Sequence, residues 1–151
     1  MIRTELTLRA LDIARKAHER QTDKSGLPYI LHPLHLAEQM PDEYTCCAAL
    51  LHDTVEDTAV TLEYLEERFP KPVTDAVARL TRKDGVPYMD YVRALRDDPI
   101  ASIVKLADLA HNSDLTRLTA AGVTPTQRDI ERTERYLAAK RLLEEKDDPP
   151  A

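Results

Sequence analysis

An imidazole and a carboxylate stand side by side at His52-Asp53, directly behind the apolar Leu50-Leu51 and ahead of Thr54-Val55-Glu56-Asp57-Thr58. Histidine nitrogen and carboxylate oxygen are the donors that divalent manganese, iron or zinc accept. Two other segments carry donors of the same kind: His32 in Tyr29-Ile30-Leu31-His32-Pro33, and Asp108 at the end of Lys105-Leu106-Ala107-Asp108. Facing helices of a bundle can point such groups into one site. A convergence of His32, His52, Asp53 and Asp108 would make a metal-dependent phosphohydrolase, because the metal acidifies water and polarises a phosphoryl oxygen. The pair at 52–53 alone also fits an exposed polar helix end. Asp108 separates the two readings: it follows Ile103-Val104-Lys105-Leu106-Ala107, and a carboxylate is costly to bury there unless it is paired or ligates.

Glu56 and Asp57 form a second layer. If the helix runs on past His52, they fall at i+4 from His52 and Asp53 and share their face. Carboxylates beside a metal can orient water, take its proton or protonate a leaving oxygen. Asn112 lies one turn beyond Asp108 on the same face. His32 precedes a proline, which biases it to an extended conformation at a loop-to-helix junction. Lys24, Lys105 and Arg117 are candidate cations for a phosphorylated substrate. His18, His35 and His111 are read as packing residues, His111 on a different side of its helix from Asn112, with hydrogen-bonded support of a ligand as its alternative.

The elements that must position these groups read as helices throughout. Apolar residues recur at spacings of three and four, and no period-two alternation persists. A first helix covers residues 5–19, with Leu8, Leu11, Ala14 and His18 at helical spacing, and residues 20–31 form a loop. A short helix follows Pro33, and another spans 42–52. Thr61 caps a helix through residue 69, and Pro72 opens one ending near Thr81. Asp84-Gly85 turns into a helix bearing Tyr88 and Tyr91. Asp98-Pro99 opens the helix of Asp108, and Thr124-Pro125-Thr126-Gln127 combines a first-position proline with a capping box. The last helix runs to residue 145. Residues 1–146 are read as one domain and 147–151 as a frayed tail.

The 151 residues suffice for one continuous core. The formal net charge of −6 argues against a general nucleic-acid binder, and no apolar span suits a membrane. The adjacent Cys46 and Cys47 are read as reduced thiols packed in a core, which makes a cytoplasmic location the expectation. A homo-oligomer is compatible with all of this.

Three segments also carry a family resemblance: residues 24–33 (Lys24-Ser25-Gly26-Leu27-Pro28-Tyr29-Ile30-Leu31-His32-Pro33), residues 50–58, and Val104-Lys105-Leu106-Ala107-Asp108-Leu109-Ala110-His111-Asn112. Together they resemble the HD-superfamily hydrolase domain of RelA/SpoT homologues, and the short length is similar to that of stand-alone small alarmone hydrolases. The resemblance runs from the first helix to about Leu143. It implies a single all-α, multi-helix domain with one Mn2+ ion, another divalent transition metal being the alternative. It implies hydrolysis of the 3′-pyrophosphate of (p)ppGpp-like nucleotides, releasing pyrophosphate. By position, the resemblance makes His32, His52, Asp53 and Asp108 the metal ligands and Glu56 and Asp57 the catalytic acids. It makes Lys24, Ser25, Asn112 and Tyr136 nucleotide contacts.

Two departures bear on the base. Guanine-specific members carry a base-stacking arginine immediately before the lysine of the first segment; here Asp23 stands there, and a carboxylate cannot supply a cation–π contact. After Asn112 the chain runs Ser113-Asp114-Leu115-Thr116, unlike those members. Arg20 is a candidate to reach over the base, and Leu118 to supply an apolar wall. The adenine alarmone (p)ppApp therefore stands beside (p)ppGpp. The competing readings are a phosphohydrolase of the same fold acting on a 5′-monophosphate or NADPH, and a nucleotide sensor without turnover.

Overall fold

The computed structural model describes residues 1–145, so the tail expected at 147–151 lies outside the described residues. Ten α-helices follow one another: α1 (Glu5–Ala17), α2 (Leu31–Glu38), α3 (Glu43–Leu51), α4 (Thr54–Asp57), α5 (Leu62–Glu66), α6 (Lys71–Leu80), α7 (Tyr88–Ala94), α8 (Pro99–Asn112), α9 (Thr116–Ala120) and α10 (Gln127–Glu144). A single 3-10 turn, Leu95–Asp97, joins α7 to α8. Among the described residues there is no strand, only an isolated bridge between Thr22 and Pro28 that closes the base of the α1–α2 loop.

The core is built around α3, whose residues Thr45 through Leu51 are all buried. A helix that is apolar on every side must be enclosed, and α3 is packed by α1, α2, α6 and α8. Cys46 and Cys47 lie here as free, buried thiols, and burial raises both, Cys47 to about 12. Helix α8 packs in turn on α2, α6 and α10. The backbone thus brings the start of α2, the end of α3 and the middle of α8 together. Truncating the fully buried Leu50 should destabilise the protein by about 2–5 kcal/mol. Denaturant unfolding of Leu50→Ala checks this, and an unchanged midpoint would contradict the central place of α3.

The helix starts follow their sequence signals. Asp42 accepts from Thr45 N at 2.8 Å, and Asp98 Oδ1 accepts from Ile100 N at 2.9 Å and Ala101 N at 3.1 Å. Each satisfies amides that have no partner within the helix.

Five expectations change. Leu8 is 51% exposed, and α1 instead buries Thr7, Ala10 and Ala14, small residues that let α3 approach. Helix α2 starts before Pro33, so His32 is helical and not extended; a proline in the first turn lacks only an N–H that would have no intrahelical partner. The helix does not run through His52. It stops at Leu51, where His52 Nδ1 donates to Ala49 O at 2.6 Å and Thr54 Oγ1 donates to Leu51 O at 2.8 Å, so side chains satisfy the terminal carbonyls. Helix α5 ends at Glu66, short of residue 69. Pro125 lies ahead of the cap: Thr126 is the N-cap of α10, paired reciprocally with Asp129. Helix α9 carried no sequence expectation.

Candidate metal centre and the adjoining pocket

His32 enters from the first turn of α2, His52 and Asp53 from the break between α3 and α4, and Asp108 from α8. One donor atom each from His32, His52 and Asp53 lie within 4.8 Å of one another. Asp108 Oδ1 adjoins them, 2.8 Å from His32 Nε2 and 3.5 Å from His52 Nε2. All four expected ligands therefore meet. His32, His52 and Asp108 are buried, and Asp53 is partly so.

The donor chemistry fits a divalent cation. His52 Nε2 is buried and makes no hydrogen bond among the described residues, although Asp53 Oδ2 is 3.0 Å away and Asp108 Oδ1 3.5 Å. With Nδ1–H committed to Ala49 O, Nε2 is the ring atom turned to the carboxylates, and on losing its proton it would present a lone pair to a cation there. Such a juxtaposition suits a shared cation better than a hydrogen bond. Burial drives the His52 imidazole toward neutrality, but Asp53 and Asp108 outweigh it and hold the ring protonated well above the usual histidine range. Burial would raise Asp108, yet Lys105, then His32 and His52, keep it well below the usual carboxylate range. The site thus gathers positive charge by whatever means it has.

Around these donors sits a layer of partners. Tyr29 Oη donates to Asp53 Oδ2. Lys105 Nζ donates to Asp108 Oδ2 at 2.9 Å, and Asn112 Nδ2 to Asp108 Oδ1 at 3.0 Å. His32 Nδ1 lies 2.7 Å from His111 Nδ1, with the rings stacked at 4.9 Å. Burial, then Arg117, pulls His111 down to about 4, so it is neutral at pH 7 and can accept from His32 Nδ1–H. That leaves His32 Nε2 as the ring atom that could ligate, with its other nitrogen held by a hydrogen bond as is usual for metal-binding histidine. His111 is therefore no mere packing residue. It stands at i+3 from Asp108, a same-face spacing that could have revealed it.

Glu56 and Asp57 sit on α4, exposed, at the rim of the cluster. Asp57 keeps its helical relation to Asp53 through Asp57 N donating to Asp53 O at 3.0 Å. Partial burial, then Asp57 and Asp53, raises the Glu56 carboxyl, and burial followed by Asp53 raises that of Asp57.

A cavity of about 300 Å³ opens against His32. Lys24, Ser25, Asn112 and Tyr136 all line it, as do Leu118 and Arg117; Arg20 does not. Asp23 is occupied in shaping the loop. Its Oδ1 accepts from Ser25 N at 2.8 Å and Leu27 N at 3.0 Å, while Oδ2 pairs with Arg117 Nη2 at 3.4 Å. Gly26, at φ +81°, completes this turn, a conformation open to glycine at no steric cost. Lys24 reaches across to Asp129 on α10 at 2.8 Å, and Arg132 approaches the same carboxylate at 3.5 Å. Tyr29, Asp129 and Arg132 also line the cavity; Tyr29 lies within the segment 24–33 but carried no expected role, and nothing in the sequence neighbourhood of Asp129 and Arg132 singles them out.

Comparison with known proteins gives a consistent answer. The HD domain family model matches residues 10–139. The chain is 42% identical over 117 residues to the probable GTP pyrophosphokinase of Mycobacterium leprae, covering 69% of this chain and 15% of that protein. It is 38% identical over 115 residues to the bifunctional (p)ppGpp synthase/hydrolase SpoT of Escherichia coli, covering 66% of this chain and 16% of SpoT. It therefore spans only about a sixth of those longer relatives. Against the human guanosine-3′,5′-bis(diphosphate) 3′-pyrophosphohydrolase MESH1 it is 38% identical over 129 residues, covering 76% of this chain and 72% of MESH1. A solved structure described as a metazoan ortholog of SpoT that hydrolyses ppGpp superposes with a TM-score of 0.70 at 26% identity, over 95% of this chain and 85% of that one. No helix among the described residues is long and apolar enough to cross a membrane.

Proposed function

This chain belongs to the HD domain family, and on that premise we propose that it is a manganese-dependent hydrolase of alarmone nucleotides, (p)ppGpp or (p)ppApp, that removes the 3′-pyrophosphate. The observation that carries the reading is the His32–His52–Asp53 donor set, with Asp108 beside it, joined through His32 to a cavity lined by Lys24, Arg117 and Tyr136. The activity for which MESH1 is named supports it, since the chain matches most of the length of MESH1.

In this reading His32, His52, Asp53 and Asp108 hold the ion. Bound there, a divalent cation supplies Lewis acidity toward the phosphoryl oxygens and acidifies water. Glu56 takes the proton of the attacking water as its oxygen bonds to the phosphorus on the 3′-oxygen. The P–O3′ bond breaks, pyrophosphate departs from the nucleoside, and Asp57 returns a proton to O3′. Ser25, Asn112 and Tyr136 bind the nucleoside, and Lys24 and Arg117 balance phosphate charge once Asp129 and Asp23 yield them. Because Asp23 braces the loop and Arg117 is the guanidinium on that side, the base pocket differs from an arginine-stacked one, which favours keeping the adenine alarmone as a substrate.

A panel of ppGpp, ppApp, 5′-monophosphates and NADPH, assayed with manganese, tests the substrate class. Turnover of the first two is the expected result, and turnover confined to the others would overturn it. The role of His111 is separately testable. His111→Phe keeps the stacked ring but removes the acceptor of His32 Nδ1–H, and it should weaken metal binding by about 10–100-fold. Titration with metal under competition from a chelator reads this, and unchanged affinity would reduce His111 to packing.

A further inference from the structure

Two tyrosines on α7 have different fates. Tyr91 Oη donates to Leu80 O at 2.6 Å and is satisfied. Tyr88 Oη is buried and has no hydrogen-bond partner among the described residues. Around the Tyr88 ring stand three cations from three parts of the chain. Arg135 Cζ of α10 lies 5.4 Å from its centroid, Arg82 Cζ of the α6–α7 loop 5.7 Å, and Lys105 Nζ of α8 5.9 Å.

Cation–π attraction accounts for one such cation readily. It does not account for three of like sign at one partly exposed ring. The chain carries a net charge of −6, and carboxylates elsewhere engage its basic residues freely. Yet neither Arg82 nor Arg135 has an ion pair among the described residues; only Lys105 does, with Asp108 at 2.9 Å. The place of the cluster matters as much as its charge. Lys105 touches an expected metal ligand, the Arg82 backbone lies beside the Glu56 carboxyl, and Tyr88 packs 6.3 Å from Tyr136, a wall of the nucleotide cavity. The cations therefore border the point where the proposed water, metal and phosphate meet, on residues that do not line the nucleotide cavity.

We propose that Arg82, Lys105 and Arg135, gathered around Tyr88, form a second anion seat that receives the distal phosphate of the 3′-pyrophosphate, with Tyr88 Oη as a donor to it. This rests on the substrate class proposed above and adds to it a subsite that distinguishes a 3′-pyrophosphate from a 3′-monophosphate. Arginine is suited to the task because its planar fork matches phosphate oxygens. The seat also binds the product pyrophosphate until it leaves.

The test is calorimetric binding of inorganic pyrophosphate to the manganese-loaded protein in excess manganese, beside binding of the nucleoside 5′-diphosphates GDP and ADP. Arg82 and Arg135 are exposed, so Arg82→Gln and Arg135→Gln are expected to fold as the wild type does. Each should weaken pyrophosphate by at least about tenfold, as loss of a charged hydrogen-bond donor does, and leave the nucleoside diphosphates unchanged. Tyr88→Phe should weaken pyrophosphate less while keeping the ring. Unchanged pyrophosphate affinity, or an equal loss for both ligand classes, overturns the seat. Wild-type failure to hydrolyse any alarmone, with pyrophosphate binding lost in the variants, would instead sustain the seat and remove the proposed substrate.

Discussion

Asp108→Ala is expected to lose the metal and, with it, turnover. Asp108 sits at the crossing of the site: its Oδ1 faces His32 Nε2, His52 Nε2 and the Asn112 amide, and its Oδ2 takes the Lys105 ammonium. Deleting it removes a donor and leaves Lys105, 12% exposed, as a buried cation beside the histidines. An uncompensated buried charge repels the ion that should bind there, so the loss should exceed the roughly 10–100-fold typical of losing a partner of a ligand. Asp108→Asn separates charge from volume: it keeps the side chain's size and should lose metal as well. Elemental analysis after dialysis, with thermal unfolding to show that the variants fold, checks this. Stoichiometric metal in a folded Asp108→Asn protein would remove Asp108 from the ligand set.

Glu56→Ala should behave in the opposite way, keeping its metal while turnover falls by about 10²–10⁴-fold, the range that general-base catalysis contributes. Glu56 is on the exposed rim, outside the proposed donor set of His32, His52, Asp53 and Asp108, so the metal site should survive its loss. Its carboxyl is raised above the ordinary 4.5 by partial burial and by Asp57 and Asp53. A base acts only when ionised. Wild-type activity is therefore present above this raised pKa and is lost as pH falls through it, earlier than for an unperturbed glutamate. In Glu56→Ala that acidic limb should vanish from the profile of the residual rate. A fully active Glu56→Ala enzyme, or an unmoved limb, would contradict the assignment.

How legible the site was depended on the kind of residue. Asp108 could be singled out from the sequence because a carboxylate in apolar helical surroundings is costly to bury unless it pairs or ligates, and donor type and the family resemblance joined His32, His52 and Asp53 to it. The caps at Thr61 and Asp98 were equally readable, since their chemistry is local. Three things were not. The helix break at His52 depends on side chains capping carbonyls, which the apolar run before it conceals. The buried stripe of α1 follows alanines and not Leu8, because close approach to α3 outweighs hydrophobicity. The side-chain partners Arg117 of Asp23, Asp129 of Lys24 and Asp53 of Tyr29 lie 24 to 105 residues away in sequence, and no periodicity reports such pairs. Asp23 shows the cost: in the sequence it is only an absent arginine, while in the fold it organises the loop and holds Arg117.

The central claim is metal-dependent release of pyrophosphate from the 3′ position. Its most direct test is product analysis of purified protein given ppGpp or ppApp, once with manganese and once with a chelator. One pyrophosphate and one nucleoside 5′-diphosphate per substrate consumed are expected, with manganese only. Release of single phosphates, or hydrolysis undiminished by the chelator, would contradict it.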